Sequence, residues 1–450
     1  MNSSTKKLPV WRKLIYGIGK GGGDIFSQVS SAFLLSYYTD TALIGAAAIG
    51  TMFVVCRVFD GISDFVMGAL IDKTNTKLGK ARPWLIAAGP LMLLGFILVL
   101  NVPASAPSGF KLLYAYATYI FMTVVVYTMF GVAHTALLPL MTRNAKDSTV
   151  IATYSAVINS SVALVASSAI TPLVTYLGWT VTSVILGLVS CVLLLICGIG
   201  SRELTPEELA EGNDAEKPGK EKAGSPLLKK QLPAVLKNRY FWMLILINVF
   251  TLIQTANSIA AQVYYCNYVL GNALFMSTLV VFGQFPSIIM MFTMPIISNK
   301  WSKKVYMVLG ACMLILGFVI CGIAGTNTTL LIIGTVVRAL GAGPLTGGVM
   351  AIVPEVVEYG NWKYGVRTAG LISSSQSIGS KIGIGFGSAI CAWTLAAAGY
   401  DALAETQTAA VLSVIKFNYT WCGAILSAVI LVLVLLLNVE RYASQYRPQT

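Results

Sequence analysis

The chain has 450 residues, 56% of them hydrophobic and 11% charged, with a formal net charge of +13, whereas a soluble domain is about one quarter charged. A mean hydropathy of +0.75 excludes an ordinary soluble globule and points to a chain that crosses a bilayer many times. The positive charge is spread through short connections instead of forming one patch, which argues for membrane topology and against nucleic-acid binding.

The polar, basic start from Met1 to Lys13 leads into a Gly-rich apolar stretch too long for the hydrophobic region of a signal peptide, so no cleavage is expected. A helix needs about 20 apolar residues to cross the hydrocarbon core. By that rule twelve spans are predicted, at 14–38, 46–71, 83–101, 110–140, 149–176, 179–199, 240–269, 275–297, 305–325, 328–353, 367–397 and 407–438. Lys and Arg collect in alternate connections: Lys6 to Lys13, Lys73 to Arg82, Arg143 and Lys146, Lys217 to Lys237, Lys300 to Lys304, Lys363 and Arg367, and Arg441 and Arg447. The opposite connections hold Lys111. The positive-inside rule then places both termini in the cytoplasm of a multi-pass protein of the plasma (inner) membrane.

Residues 201–238 form a charged, Pro- and Gly-containing stretch that reads as a solvated cytoplasmic linker between a half at 1–200 and a half at 239–450. Weak internal symmetry agrees: "LLPLMTRNAKDS" follows the fourth span and "AIVPEVVEYGNWKYGVR" the tenth, each with a Pro near the helix end and a charged turn after it. The expected fold is an all-α membrane protein of twelve helices in two pseudo-symmetric six-helix halves, the major facilitator architecture.

Three acids sit well inside predicted spans: Asp24 in the first, and Asp60 and Asp64 in the second. At helical spacing Arg57, Asp60 and Asp64 share one face. A charge at bilayer centre costs about 2.5–3.5 kcal/mol even on insertion scales, so this face must look into protein or water. Two carboxylates one turn apart repel unless a cation lies between them, which suits Na⁺, Li⁺ or a proton. Thr128 in the fourth span could complete an oxygen shell. Lys381, deep in the eleventh span within "SSSQSIGSKIGIGFG", reads as a counter-charge or a donor to substrate, with Gln376 facing the same way. Lys20 is expected at the cytoplasmic interface. Arg338 and Lys416 are expected to snorkel or pair structurally, and the single histidine, His134, to be a hydrogen-bonded helix residue. The glycines between Gly17 and Gly23 lack the Gly-Lys-Ser/Thr ending of a phosphate loop and suit close helix packing.

After the second span, Asp72 followed by Lys80 and Arg82 reads as a cytoplasmic latch, a helix-end carboxylate facing basic residues. The eight cysteines lie in apolar segments without a CxxC pair, and are expected to be buried small hydrophobes.

The segments "YGIGKGGGD", "FLLSYYTD", "RVFDGISDFVMGALIDKTNTKLGKARPW" and "VVEYGNWKYGVRTAGLISS" resemble the glycoside-pentoside-hexuronide:cation symporter family of the major facilitator superfamily. The resemblance implies sugar uptake coupled to Na⁺, Li⁺ or H⁺. It implies that Asp60, Asp64 and Thr128 bind the cation, with Asp60 and Asp64 the Na⁺ ligands if the coupling ion is sodium. It implies that Asp24, Arg57, Gln376 and Lys381 face the substrate. The family's second sugar-binding acid and a nearby aromatic fall on Gly131 and Thr135 here, a fifth-span arginine near Ala156, a tenth-span aromatic near Thr346, and an asparagine between the paired acids on Ser63.

The expected function is a secondary active symporter working by alternating access. It has a small sugar, a monovalent cation and membrane lipid as partners, no nucleic acid and no resident cofactor. A transporter of a lysolipid or other amphiphile keeps the same fold, and a non-transporting sensor using the 201–237 loop is a further reading. No nucleophile-base pair or metal cluster suggests an enzyme.

Overall fold

The computed structural model describes residues 9–142, 144–204, 233, 235–298, 302–365 and 369–442. Most of the expected linker lies outside the described residues. By internal contacts the chain forms two compact units, Met1–Gly219 (unit 1) and Lys220–Thr450 (unit 2).

Unit 1 contains α1 (Val10–Ala32), α2 (Ala46–Lys73), α3 (Arg82–Val99) and α4 (Ser108–Met141), then Ala145–Gly200, broken at Gly178 into α5 (145–177) and α6 (179–200). Gly178 has φ 75°, a left-handed value that glycine adopts without a Cβ clash and that lets the chain reverse. Unit 2 contains α7 (Arg239–Val269), α8 (Phe275–Ser298), α9 (Lys303–Ala324), α10 (Thr328–Tyr364), α11 (Ala369–Ala397) and α12, which runs from Ala409–Lys416 through Phe417–Trp421 to Cys422–Leu436. Helices suit such a chain because hydrocarbon offers no partner to a free backbone N–H or C=O. Among the described residues seven stretches are long and apolar enough to cross a membrane, one of them the 54-residue Asp147–Gly200 that holds both α5 and α6.

Two differences from the expected spans have physical causes. The tenth helix continues eleven residues beyond 353, to Tyr364. Its polar extension is held by Lys303, whose Nζ lies 2.6 Å from Glu355, and by the edge of Tyr240 against Tyr359. The first helix ends at Ala32, and the remainder of the expected span is a short helix at Leu34–Ser36 with a π turn at Tyr37–Thr41. Further π turns occupy Phe121–Tyr127 in α4, Tyr265–Val269 in α7 and Phe417–Trp421 in α12.

Close packing explains the first-span glycines. A Cβ on Gly23 would enter the ring of Phe130 on α4, and one on Gly19 would meet the side chain of Cys197 on α6. His134 fastens the same region: its Nε2 lies 2.9 Å from the Tyr16 carbonyl, and the Tyr16 hydroxyl donates back to the His134 carbonyl at 3.1 Å. Because a carbonyl only accepts, Nε2 carries the proton. This fits the structural role expected of His134.

One device recurs in both units. In unit 1 the N–H groups of Lys80, Ala81 and Arg82, at the start of α3, all donate to the Glu203 carboxylate just past α6, at 2.7, 2.9 and 2.9 Å. Arg82 answers from the other side, giving Nε to the Gly198 carbonyl at 2.8 Å and Nη2 to Ile199 at 3.0 Å. In unit 2 Glu440, past α12, accepts from the N–H groups of Lys303 and Lys304 at 2.9 and 3.5 Å. Lys304 Nζ reaches the Leu435 carbonyl at 2.5 Å and also the Asn438 side chain. Each carboxylate satisfies orphan donors at the positive end of a helix dipole, and each basic side chain satisfies orphan carbonyls at a negative end.

Replacing Glu203 with Ala is expected to cost about 1–2 kcal/mol, in the range of a lost helix cap. The melting temperature of the detergent-purified protein should fall, and fall less for Glu203→Gln. Equal melting temperatures for all three proteins would show that solvent caps α3 equally well. Glu440→Ala is expected to give a loss of the same sign in unit 2.

Candidate functional site

The charged face of α2 carries Arg57, Asp60 and Asp64. Asp60 is 3% exposed, and its two carboxylate oxygens have different partners. Arg57 Nη1 lies 3.6 Å from Oδ2, a long ion pair within one helical turn. The Thr128 hydroxyl donates to Oδ1 at 3.0 Å from α4. Ser63 Oγ lies 2.9 Å from Thr128 Oγ1 and 3.0 Å from the Asp60 backbone carbonyl, so the two hydroxyls form a connected chain beside the carboxylate. A buried carboxylate is strongly unfavourable without such partners, and here a guanidinium and a hydroxyl chain supply them. Asp64, one turn further along the same face, is half-buried.

Asp24 is the centre of a second cluster. It is 9% exposed. Lys20 Nζ lies 3.0 Å from Oδ2 and 3.2 Å from Oδ1, and the Tyr127 hydroxyl donates to Oδ1 at 3.0 Å. Lys20 is expected at the cytoplasmic interface from its place in the sequence, and the structure adds a partner for it. It pairs with the acid one turn on, and its ammonium lies 5.5 Å from the centre of the Phe130 ring. Tyr127 and Thr128 are consecutive, so one turn of α4 touches both Asp24 and Asp60. That turn immediately follows and includes the end of the π segment Phe121–Tyr127, whose wider winding shifts the register of both side chains. Gly131, where the resembling family has its second acid, borders open space: nothing lies within 4 Å of a Cβ built there.

Gln376 and Lys381 lie on α11 in unit 2. Gln376 is 7% exposed, and among the described residues its side-chain Nε2 is buried without a hydrogen-bond partner. Its backbone carbonyl accepts from Asn248 Nδ2 on α7 at 3.1 Å and from Ser380 Oγ at 2.9 Å. Asn248 also donates to Ser380 Oγ at 3.1 Å. Lys381 is half-buried beside this tie. The helices can come this close because α11 presents Gly383 and Gly387 to the α7 backbone; a Cβ on Gly387 would lie 2.5 Å from the Ile253 carbonyl.

The latch is built differently from its sequence reading. Lys80 and Arg82 take part, through the contacts to Glu203, Gly198 and Ile199 described above. Asp72 is exposed, and among the described residues it has no hydrogen bond or ion pair. The anion that faces the basic turn is Glu203, more than a hundred residues further on, so spacing along the chain could not reveal it. Ser63 and Tyr127 also escaped assignment to the site; each lies next to or within one turn of a residue that was assigned. Lys416 is exposed on α12. Among the described residues no group of three or more His, Cys, Asp or Glu converges as a metal site. The oxygen set of Asp60, Asp64, Thr128 and Ser63 has the chemistry of a hard monovalent cation site.

Residues 15–441 match the family described as MFS/sugar transport protein. Among curated proteins the chain is 28% identical over 429 residues to the isoprimeverose transporter of Lactiplantibacillus pentosus, covering 92% of this chain and 86% of the relative. It is 28% identical over 438 residues to the glucuronide carrier protein homolog of Escherichia coli (strain K12), covering 94% and 92%. Of solved structures, a bacterial homolog of the human lysosomal transporter Spinster superposes with a TM-score of 0.65 at 13% identity, over 98% of this chain and 97% of that one. The nucleoside transporter NupG gives 0.61 at 13% identity, over 97% and 100%. At such identities the two structures show a shared fold. The match over almost the whole length, on a frame of twelve helices, means that this chain belongs to the MFS/sugar transport protein family, a family of membrane transporters.

Proposed function

We propose that the protein is a secondary active symporter of the inner membrane, with both termini cytoplasmic, that takes up a sugar (a glycoside, pentoside or hexuronide) together with H⁺ or Na⁺. The observation that carries this reading is the α2–α4 cluster: a buried aspartate, Asp60, held by Arg57 and by the Thr128 hydroxyl. Family membership and relatives named as sugar carriers supply the substrate class.

In this reading the cation binds among the oxygens of Asp60, Asp64 and Thr128. A positive charge arriving there competes with Arg57 for Asp60. The Arg57–Asp60 contact is long enough to be given up without breaking a tight bidentate pair. Arg57 is then released toward the substrate, and this is the coupling step. Asp24 accepts sugar hydroxyls while sharing Lys20, and Gln376 Nε2 and Lys381 donate from the second half. Transport proceeds by alternating access of the site that holds cation and sugar together. Coupling requires that sugar raise cation affinity by the same factor as cation raises sugar affinity.

Thr128→Val removes one donor from Asp60 while keeping the side-chain shape. It is expected to weaken cation binding about tenfold, the scale of one lost charge-assisted hydrogen bond. Sodium and pH titrations of thermal stability would read this, and a cation response identical to wild type would remove Thr128 from the site. Asp24→Asn should reduce sugar affinity by about tenfold or more on the same grounds and leave the cation response in place. Calorimetry with a panel of neutral and acidic sugars tests it, and unchanged sugar affinity would assign Asp24 and Lys20 to packing alone. Asp64→Asn should abolish uphill uptake into proteoliposomes, and accumulation against a gradient by that variant would overturn the cation assignment.

A further inference from the structure

Arg338 of α10 stands apart from the paired cations of this chain. Lys13 meets Asp147 at 2.6 Å, Lys20 meets Asp24, Arg57 meets Asp60 and Lys303 meets Glu355. Arg338 has neutral partners instead. Its Nη1 donates to Ser258 Oγ on α7 at 2.9 Å. Its guanidinium lies 5.0 Å from the ring centre of Phe318 on α9 and 5.5 Å from that of Tyr419 on α12. It is ten residues into α10, about 15 Å from the start of the helix and so near the middle of a bilayer core about 30 Å thick.

The acids of its own unit are placed elsewhere. Apart from Glu221, which lies outside the described residues, the acids after Lys220 are Glu355, Glu358, Asp401, Glu405 and Glu440. Glu355 pairs with Lys303, and Glu440 caps α9. Glu358 lies twenty residues further along α10, about 30 Å away at helical rise. Asp401 and Glu405 are exposed in the connection between α11 and α12. A guanidinium has five donors, and Ser258 takes one.

The hydroxyls beside it are only weakly engaged. Thr335, one turn before Arg338 on the same helix face, and Tyr419 are both fully buried, at 0% exposed; the Tyr419 hydroxyl faces Thr335 and Thr335 faces Cys321, but among the described residues neither hydroxyl makes a hydrogen bond of ordinary length and angle. Other threonines of this unit, Thr251, Thr394 and Thr420, give their protons to the carbonyl one turn back, at 2.7 Å in each case. Thr335 does not. A buried hydroxyl held only by weak contacts is unfavourable, and two of them next to an arginine without a carboxylate form a set of donors short of a strong shared acceptor.

We propose that Arg338, together with the Thr335 and Tyr419 hydroxyls, is a binding site for a small monoanion. The chemistry is a single negative charge that accepts several hydrogen bonds, as a halide or a carboxylate does. The anion reaches the site either free, as chloride, or as the acid group of a uronic-acid substrate. The chloride source is independent of the sugar-uptake reading, whereas the uronate source rests on it.

The test uses the full chain in lipid nanodiscs and follows thermal stability in two series. In the first, chloride replaces sulfate at constant sodium. In the second, glucuronate is compared with glucose. The wild-type protein should be stabilised by chloride over sulfate, or by glucuronate over glucose. Arg338→Gln should need about tenfold or more of the same anion for half the effect. Tyr419→Phe removes one hydroxyl and keeps the ring, so it serves where Arg338→Gln does not fold, and should shift the response in the same direction. A chloride response lost in the variants assigns a free anion, and a glucuronate preference lost in them assigns a substrate acid. Absence of both responses in the wild type, or equal responses in wild type and both variants, overturns the site. Failure of the sugar reading alone would appear differently, as no effect of glucose or glucuronate with the chloride series intact.

Discussion

The interaction on which the candidate site depends is the holding of Asp60 between Arg57 and Thr128. An aspartate in an apolar helix is tolerated only if its charge is answered locally, and here the answers come from two helices. Arg57 is one turn back on α2, and Thr128 is brought in by α4. The acid thus fixes the rotation of α2 and the register of α4 together. Tyr127 then falls on Asp24, and Asp24 in turn fixes α1 through Lys20. Three helices are oriented by two buried carboxylates, with the glycines of α1 allowing the close packing on which those contacts rest.

The ends of the helices are governed by the same electrostatics with different partners. Helix dipoles stand in for one member of each pair at Glu203 and Glu440, and the basic residues at the start of α3 and α9 return the favour to the last helix of their own bundle. The recurrence of this exchange in both units is a stronger sign of an internal repeat than the likeness of "LLPLMTRNAKDS" to "AIVPEVVEYGNWKYGVR". It repeats a function of residues where the residues themselves differ: arginine against lysine, three capped N–H groups against two.

What could be read from the sequence follows from cost. Asp24, Asp60 and Asp64 stood out because an acid in an apolar span is expensive, and the twelve spans because backbone groups in hydrocarbon leave few alternatives to a helix. Partners were harder to read, because a partner's identity depends on which helix faces which. Lys20 looked interfacial by its distance from the helix start, yet the i, i+4 spacing to Asp24 was available and was the better guide. Asp72 was chosen for the latch by proximity in the chain, and the anion that faces the basic turn, Glu203, arrives from the far side of four helices. The π turns left no mark in hydropathy, although the one at Phe121–Tyr127 sets where Tyr127 and Thr128 point.

The two units place polarity in their interiors in different ways. Unit 1 uses opposed charges: Lys13 with Asp147, Lys20 with Asp24 and Arg57 with Asp60. Unit 2 keeps one such pair, Lys303 with Glu355, and between α7, α11 and α12 uses amides and hydroxyls: Asn257 donates to the Asn418 carbonyl, Asn418 to Thr394, and Gln254 to Ser427, all within 2.9 Å. Such neutral bonds have no charge to exchange, so a cation binding elsewhere leaves them unchanged. They keep the π turn of α12 fixed against α7 and α11. A charge placed in that setting, as Arg338 is, has no mobile counter-ion within the protein among the described residues, and its field is answered by ring faces and one hydroxyl.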